Sequence, residues 1–431
     1  MSPSDVNPTA TADAARVSES APAGMSAREV VLMLVGTLGA AIAYLVPMVF
    51  TLALKLDALE PGNQAALGII IGVGSAVALV TAPLTGVLSD RTRTRWGRRR
   101  PYTLAGMVLG MGAIALMAFA PDMWLLGLGW VFANLGWGTT LGSIGNVQAD
   151  RLRPEQRGKV GALVGVVTQV APVTGILLVS PFAADVSFTM WLPAIVGLPL
   201  VLAFLVWVQD DDSRAMDVGA KLTVGALVRS YGFRPRLFPD FAWNWLGRFL
   251  FFAGIAFTST YGTFFYSARL GIAVDAIAPT VALMSAVTTA VSAAGAIASG
   301  WLSDRLGRRR PFIALAVVVY AVGAVVSAAA YDLLVLIVGA VLCSLGVAVF
   351  LAVNQAMVLD VLPHRDTQAG RFMGITSFSQ KIPSALAPLV APIILAVGAT
   401  SASNFALLYL CAGGLVLAGG LLIAWRVKAV R

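Results

Sequence analysis

The chain contains 431 residues, of which 58% are hydrophobic and only 12% are charged. A soluble protein of this length needs far more charged side chains to cover its surface, so this composition excludes an ordinary soluble protein. In a soluble protein the formal net charge of +9 would indicate a nucleic-acid partner. Whether that interpretation holds depends on the hydropathy pattern along the chain.

Apolar runs long enough to cross a membrane follow one another along the whole chain. A helix rises 1.5 Å per residue, so about twenty apolar residues span a hydrocarbon core about 30 Å thick. Prolines interrupt the fifth and sixth runs, at Pro172, Pro181, Pro193 and Pro199. The twelve predicted spans are 29–54, 65–88, 102–120, 123–147, 159–182, 189–208, 242–267, 276–302, 312–330, 333–358, 372–397 and 402–425.

The segment before the first span is rich in Ser, Pro, Ala and Asp. It lacks a basic start followed by an apolar core, so it does not resemble a secretory signal. We expect residues 1–27 to form a disordered tail and the first span to be an uncleaved helix. The predicted domains are a six-helix bundle at 28–208, a linker at 209–240 with one surface helix, a second bundle at 241–426 and a tail at 427–431.

Basic residues are concentrated in alternate loops. The loops after the second, fourth, sixth and eighth spans are rich in arginine, whereas the loops on the other side offer only Lys55 and Arg269. By the positive-inside rule the arginine-rich loops and both termini are cytoplasmic. Because these arginines lie in short turns at a membrane surface, we expect contact with the lipid bilayer and not with nucleic acid. Arginine outnumbers lysine 25 to 5, which is typical of a GC-rich bacterial genome and predicts a bacterial inner membrane.

The two halves of the chain repeat one pattern. The stretch "GVLSDRTRTRWGRRRP" begins at Gly86, and the shorter "GWLSDRLGRRRP" begins at Gly300, 214 residues later. The first copy holds four extra residues, so the closing prolines are 210 apart, as are Asp150 and Asp360. A repeat of six spans is the simplest explanation.

These two loops resemble the signature loop of the major facilitator superfamily. Both contain Gly-x-Leu-Ser-Asp-Arg followed by Gly-Arg-Arg-Arg-Pro, and the insertion within 92–96 is similar to that of the glycoside-pentoside-hexuronide cation symporters and the sucrose transporters. The resemblance implies an all-α membrane protein with twelve transmembrane helices in two pseudo-symmetric six-helix bundles. We expect it to function as a monomer that binds a small-molecule substrate between the bundles.

The same loops predict a gate. An aspartate beside the positive end of a neighbouring helix satisfies its free N–H groups, and flanking arginines can reach carboxylates on adjacent helix ends. The resemblance implies that such clusters latch the halves together on the cytoplasmic side and release during the cycle. The alternative is that the arginines only set topology and contact lipid phosphates. The predicted gate residues are Asp90, Arg91, Asp150, Asp304, Arg305 and Asp360.

Two basic residues lie within predicted spans, Arg248 in the seventh and Lys381 in the eleventh. A buried cation costs several kcal/mol unless it is paired, hydrated or neutralised. Either residue could hold an anionic substrate group or hydrogen-bond sugar hydroxyls and helix carbonyls, and Arg248 could instead snorkel to the membrane surface. No carboxylate lies near mid-depth in any predicted span, which departs from the sodium-coupled symporters of the resembling family and argues against sodium coupling.

Other polar and aromatic residues within the spans suit a sugar. Amides and hydroxyls can bond to sugar hydroxyls, and aromatic faces can pack on C–H surfaces. For each single residue an interhelical hydrogen bond or plain packing explains its presence equally well. Besides Arg248 and Lys381, the predicted substrate-binding residues are Asn134, Trp137, Gln169, Asn244, Trp245, Tyr261, Asn354, Gln355 and Gln380.

The sequence contains no nucleotide-phosphate loop, metal-ligand cluster or catalytic triad spacing. We therefore expect neither an enzyme nor a bound metal or organic cofactor, and Cys343 and Cys411 are expected to be small core residues. The predicted function is a secondary transporter that imports a sugar or glycoside by alternating access. A proton is the default coupling ion, and facilitated diffusion without coupling is the alternative. One alternative is a proton-driven exporter of drugs or metabolites, for which Gly165, Pro172 and Gly175 form a partial motif. The other is a sensor or scaffold that does not transport.

Overall fold

The computed structural model describes residues 24–208, 210–216, 233, 235–363, 365–398 and 403–428, without the side chains of 154, 304 and 365–370. Helices form nearly all of the described part, and each predicted span falls on one of them in order, so the chain is an all-α membrane protein. The helices are α1 (Ala27–Leu59), α2 (Ala65–Arg91), α3 (Arg100–Ala118), α4 (Met123–Arg151), α5 (Pro154–Val179), α6 (Val186–Trp207), α7 (Pro239–Thr260, continued by Gly262–Leu270), α8 (Ala278–Leu306), α9 (Arg310–Ala329), α10 (Leu333–Asp360), α11 (Arg365–Ala396) and α12 (Phe405–Arg426).

Ten described helices are long and apolar enough to cross a membrane, and α7 becomes an eleventh when its two parts, bent by 54°, count as one span. The remaining helix, α4, has 29 residues, but Asn134, Asn146 and Gln148 lower its mean hydropathy. It packs against α1, α2 and α3. A polar helix inside an apolar bundle faces protein or a cavity, because polar groups are costly in lipid.

Prolines do not end the helices in which they occur. Pro172, Pro193 and Pro199 lie inside continuous helices of 26 and 22 residues, whereas Pro181 lies in the short 3-10 turn at Ser180–Phe182 that follows α5. Neighbouring helices in a membrane bundle can shield the backbone carbonyl that a proline leaves unbonded. In α1, by contrast, Pro47 begins a π-helical turn that extends to Thr51, and the helix then continues to Leu59, five residues beyond the predicted span.

Matching helix caps mark the internal repeat in the structure. Asp122 begins α4 by accepting hydrogen bonds from the backbone N–H groups of Trp124 and Leu125, both at 2.9 Å. Asp332, 210 residues later, begins α10 by accepting one from Val335 at 3.0 Å. Such caps satisfy N–H groups that have no partner within the helix.

The helix crossings repeat at the same interval. A Cβ atom on Gly136 of α4 would lie 2.8 Å from the carbonyl oxygen of Gly106 in α3, and one on Gly346 of α10 would lie 2.6 Å from that of Ala316 in α9. Both pairs are related by 210 residues. Small residues at these crossings let the backbones approach closely, which is how membrane helices gain packing energy. The two halves, α1–α6 and α7–α12, therefore share one internal packing scheme.

The halves meet where α2 packs against α11 and where α5 packs against α8. Near the start of α2, a Cβ atom on Gly68 would lie 2.0 Å from Oη of Tyr261 and 2.3 Å from the carbonyl oxygen of Pro388. Thr263 also donates a hydrogen bond to the carbonyl oxygen of Val49 at 2.7 Å. We call this side the far face, and the side that carries the loops at 92–99 and 307–309 the arginine face. The halves are in close contact at the far face.

The insertion of the first repeat holds the beginning of the linker. Asp210 accepts a hydrogen bond from the backbone N–H of Arg99 at 2.7 Å. Ser213 donates its hydroxyl to the carbonyl oxygen of Thr92 at 2.9 Å and accepts from the backbone N–H of Thr94 at 3.0 Å. The four extra residues therefore anchor the linker to the N-terminal half, and the second repeat has no linker to anchor. The surface helix predicted for the linker lies outside the described residues.

The end of the predicted N-terminal tail is packed against the bundle. Met25 is buried, and its backbone carbonyl accepts a hydrogen bond from the amide of Gln156 in α5 at 2.8 Å. Ser26 and Glu29 then form a capping box at the start of α1. Residues 1–23 of the tail predicted to be disordered lie outside the described part of the chain, whereas residues 24–27 belong to the folded protein.

Candidate substrate cavity

A cavity of about 350 Å³ lies between the two halves. Its walls come from α1, α2, α3 and α4 of the N-terminal half and from α11 of the C-terminal half. On α2 it begins at Ala78, ten residues beyond the closed contact at Gly68, and continues to Ser89 beside the arginine-rich loop. The cavity therefore lies towards the arginine face, while the far face is closed.

The cavity wall is rich in groups that hydrogen-bond neutral ligands. Lys381 is the single charged residue among the described residues that line it, and its side chain is exposed to this space although it lies deep within α11. No carboxylate occurs among the lining residues. The hydrogen-bonding members on the N-terminal half are Tyr44, Thr81, Thr85, Ser89, Tyr102, Asn134, Thr139, Ser143 and Asn146. Besides Lys381, α11 adds the hydroxyl of Ser377 and the aromatic face of Phe378.

Tyr44 and Asn134 form the most ordered polar pair of the wall. The Tyr44 ring stacks on Trp130, with 5.9 Å between ring centroids, and its hydroxyl donates to Oδ1 of Asn134 at 2.7 Å. The Asn134 amide nitrogen donates to the carbonyl oxygen of Trp130 at 2.9 Å. One amide hydrogen and one oxygen lone pair of Asn134 remain for a ligand. Tyr44 was not predicted from the sequence, because it is one aromatic residue among many in an apolar span.

Removing the Asn134 amide should weaken transport moderately. Asn134→Ala deletes a ligand contact and leaves the Tyr44 hydroxyl without its acceptor, so we expect transport efficiency to fall about 2- to 12-fold, as for the loss of about 0.5–1.5 kcal/mol. Uptake at several substrate concentrations measures the change. The matched control is Asn63→Ala, because Asn63 is an exposed asparagine in the loop before α2, outside this cavity and outside the predicted site. Equal losses in both variants would contradict a ligand role for Asn134.

Arg248 lies in a different environment, inside the C-terminal half. Only 6% of it is exposed. Its Nε donates to Oγ of Ser379 at 3.2 Å, it also bonds to Oδ1 of Asn354, and Asn354 in turn donates to Asn244 at 2.8 Å. The guanidinium also lies 5.3 Å from the ring centroid of Phe252. Arg248 thus does not snorkel to the surface here, and it does not line the cavity. Arg248, Asn244 and Asn354 were predicted as separate binding residues, and the structure joins them in one buried network.

The remaining predicted site residues lie outside this cavity, and their role in binding stays a prediction. Trp137 is fully buried against Gly110, and Tyr261 belongs to the contact at the far face. Trp245 donates its ring N–H to the carbonyl oxygen of Ile375 at 2.9 Å, which ties α7 to α11. Gln169, Gln355 and Gln380 are exposed residues on α5, α10 and α11.

The predicted gate aspartates pair with arginines of their own half. Arg99 contacts Asp90 at 2.6 Å and Asp150 at 2.8 Å, and Arg98 reaches Asp150 at 2.9 Å. Burial by itself lowers the pKa of Arg99, but the bonds to Asp150 and Asp90 outweigh burial and raise the pKa above its ordinary value. The acidic partners were predicted, whereas the central role of Arg99 was missed among neighbouring arginines.

The second repeat has a corresponding pair, with Arg309 at 3.1 Å from Asp360. Arg305 lies over the ring of Trp301, 5.2 Å from its centroid, and the side chain of Asp304 lies outside the described part. The ion pairs at Asp90, Asp150 and Asp360 therefore brace each half internally in this conformation. A latch that joins the halves through the predicted gate residues stays a prediction.

Replacing Arg99 should destabilise the N-terminal half. Arg99→Ala leaves Asp90 without this ion pair and weakens the pairing of Asp150, both partly exposed, so we expect a loss of about 2 kcal/mol in the free energy of unfolding. The loss should appear as a lower Tm of the purified protein. Arg93→Ala is the control, because Arg93 is exposed in the same loop. An unchanged Tm for Arg99→Ala would show that the ion pairs carry no net stability.

Comparisons with known proteins agree with this architecture. The family model for "MFS/sugar transport protein" matches residues 32–427. The general alpha-glucoside permease of Schizosaccharomyces pombe is 33% identical over 93 residues, which are 22% of this chain and 15% of the permease. The sucrose transport protein SUT1 of Oryza sativa subsp. japonica is 42% identical over 50 residues, 12% of this chain and 9% of that protein. Both matches cover much less than two thirds of the relatives' length.

The solved structures extend the likeness to the whole fold. The crystal structure of the nucleoside transporter NupG has a TM-score of 0.74 at 11% identity, and the alignment covers 94% of this chain and 100% of that one. At this identity the match shows a common fold alone. The match to residues 32–427, the repeated six-helix halves and the cavity between them show that the chain belongs to the MFS/sugar transport family, whose members are membrane transporters and not enzymes.

Proposed function

We propose that the protein imports a sugar or glycoside through the cavity between its halves. The observation that carries this proposal is the composition of the cavity wall, where hydroxyl and amide groups of α2 and α4 face Lys381 of α11 and no carboxylate intervenes among the lining residues. Such a wall offers a polyhydroxylated molecule many hydrogen-bond partners and an aromatic face. Relatives described as an alpha-glucoside permease and a sucrose transport protein support the same substrate class.

The sidedness of the bundle completes the proposal. The arginine face is assigned to the cytoplasm by the positive-inside rule, and the organism is taken to be a bacterium with the protein in its inner membrane. With this orientation both termini are cytoplasmic, and the cavity lies on the cytoplasmic side of the closed contact at Gly68. Transport then requires a rocking of the halves that opens the far face and closes the arginine face. A monomer contains both halves and suffices for this cycle.

Proton coupling is a further part of the proposal. A coupling group has to change its charge or its partners during the cycle, and the wall contains one charged residue, Lys381. Its ammonium has no carboxylate as a counter-charge among the described lining residues, so a substrate that enters the cavity changes the hydrogen-bond partners of this ammonium. We assign the coupling role to Lys381 and expect an inward proton gradient to drive uptake.

The test is uptake of labelled sugars into proteoliposomes. Sucrose, maltose, a methyl glucoside and a nucleoside are offered with and without a pH gradient that is acidic outside. We expect saturable uptake of one of the glycosides, faster with the gradient and slowed again by a protonophore. Empty liposomes provide the background. Uptake of the nucleoside alone would contradict the substrate class, proton-driven efflux would indicate an exporter, and no flux of any compound would favour a sensor.

A further inference from the structure

The C-terminal half contains a second cavity, of about 290 Å³, between α7, α8, α9, α10 and α12. It shares no lining residue with the cavity between the halves. Ser259 on α7 is exposed, and Ser292 on α8 is half-exposed, so these residues mark its mouth. Cys343, a free cysteine, and Tyr409 lie on its wall. The proposed transport pathway does not use this space.

The internal repeat explains why this space is open in the C-terminal half. Residues 210 apart are equivalent in α3 and α9 and in α4 and α10, as the matching caps and crossings show. The N-terminal half places Trp130 and Trp137 at two of these positions, and their exposures are 1% and 0%. The equivalent residues of α10 are Ala340 and Val347, both on the cavity wall. Two large rings are thus replaced by small side chains, and the volume remains open.

The wall of this cavity is polar, although it lies within a membrane-spanning bundle. Nine of its thirteen lining residues carry a hydroxyl group, and none carries a charge. The equivalents of Tyr320, Ser327 and Cys343 in the N-terminal half are Gly110, Met117 and Ala133, so these three polar groups occur only in the C-terminal copy, whereas Ser344 has a polar equivalent in Asn134. Close packing alone gives no reason for this difference.

Several of these hydroxyls have unused hydrogen-bonding capacity. Thr258 and Tyr320 share a hydrogen bond of 3.0 Å. The hydroxyls of Tyr266, Ser292, Ser327 and Tyr409, in contrast, make no hydrogen bond to any other residue that the structure describes, and Tyr409 is only 6% exposed. These hydroxyls are open to the cavity. An occupant that accepts and donates hydrogen bonds would satisfy them.

The geometry points to a second binding site here, for a small neutral polyhydroxylated molecule of up to monosaccharide size. The absence of charged lining residues disfavours an ion, which would be buried without a counter-charge. The hydroxyl groups disfavour a lipid chain, and the volume far exceeds the roughly 30 Å³ that one water needs. The rings of Tyr320 and Tyr409 provide apolar faces for the C–H side of such a molecule. Water alone is the alternative occupant.

Cys343 is a native reporter of this site. In the Cys411→Ala variant, the rate at which N-ethylmaleimide modifies Cys343 is measured with increasing glucose, sorbitol or myo-inositol. We expect at least one of them to slow the modification saturably, by 5-fold or more.

Two controls apply to this measurement. In the Cys343→Ala variant, the polyols should not protect Cys411, and sodium sulfate at equal osmolarity should not protect Cys343. If no polyol protects Cys343, the cavity holds water only and the proposal fails. It also fails if Cys343 reacts neither with maleimide nor with iodoacetamide.

Substitutions distinguish this site from the cavity between the halves. In the Cys411→Ala background, Tyr409→Phe and Ser327→Ala remove unpaired hydroxyls with little change of volume, and each should raise the protective concentration about 10-fold. Lys381→Ala alters the other cavity and should leave protection unchanged. The proposal is overturned if Lys381→Ala loses the protection while Tyr409→Phe and Ser327→Ala keep it. That outcome would assign the effect to the other cavity. The Tm of each variant confirms that it is folded. Protection is measured without transport, so failure of the proposed transport function would be seen separately.

Discussion

Lys381→Ala is expected to lower transport efficiency about 10- to 150-fold. Within the part of the chain that the structure describes, Lys381 is the single charged residue on the wall of the cavity between the halves. Hydrogen bonds from a charged donor contribute about 1.5–3 kcal/mol, roughly twice as much as neutral ones. Losing such bonds weakens substrate binding about 10- to 150-fold. Initial uptake rates over a range of substrate concentrations measure it. If Lys381 also carries the coupling proton, the variant should lose the acceleration by the pH gradient, whereas Asn134→Ala should keep it.

Two further variants make this test specific. Lys381→Arg keeps the charge and should retain more activity than Lys381→Ala if the charge itself matters. Lys159→Ala removes an exposed lysine near the start of α5, at the arginine face. It controls for the loss of one positive charge from the protein. Wild-type transport by Lys381→Ala would exclude Lys381 from both substrate binding and proton coupling.

Gly68→Leu is expected to prevent the far face from closing. A Cβ atom at this position would already lie 2.0 Å from the Tyr261 hydroxyl and 2.3 Å from the backbone oxygen of Pro388. Tyr261 can rotate, but the backbone at Pro388 cannot yield without moving α11. Overpacking of this kind costs about 1–3 kcal/mol, and because the cost falls only on the conformation with a closed far face, its population should drop about 5- to 150-fold. Turnover should fall accordingly, while substrate should still bind from the far side.

A cysteine on the cavity wall can report this shift directly. With the native cysteines replaced, Ser377→Cys places a thiol in the cavity between the halves. A maleimide that cannot cross the membrane should reach it from the arginine face in the parent protein, and more slowly after Gly68→Leu. Gly112→Leu is the matched control, because nothing lies within 4 Å of a Cβ atom at Gly112. Equal labelling in the parent and in Gly68→Leu would show that this contact does not control which side is open.

The site itself was only partly predictable from the sequence. Charge in an apolar segment is a strong local signal, and it led to Lys381 on the cavity wall and to Arg248 in the buried network with Asn244 and Asn354. A tyrosine or serine in a membrane helix gives no such signal, since its cost in lipid is small and its rotation around the helix is unknown. Tyr44 and Ser379 were therefore missed.

The pairing within the gate loop shows a related limit. The sequence places Asp90 and Asp150 near a run of arginines, but every arginine in such a run can reach several partners. The fold buries Arg99 between the two aspartates, and it places Asp210 of the linker on the backbone N–H of the same residue. The choice of Arg99 depends on the direction in which the α2–α3 loop turns.

The sequence by itself determined the membrane-spanning class, the order of the helices and the repeat of six. Each of these depends on local composition or on spacing along the chain, because a helix in lipid satisfies its backbone internally and needs about twenty apolar residues to do so. Only the tertiary structure decided that the far face is closed at Gly68, that Arg248 faces asparagines and not the cavity, and that Ala340 and Val347 leave space where Trp130 and Trp137 fill it. These features depend on which faces of distant helices meet, and the rotation and crossing of helices follow from packing between them.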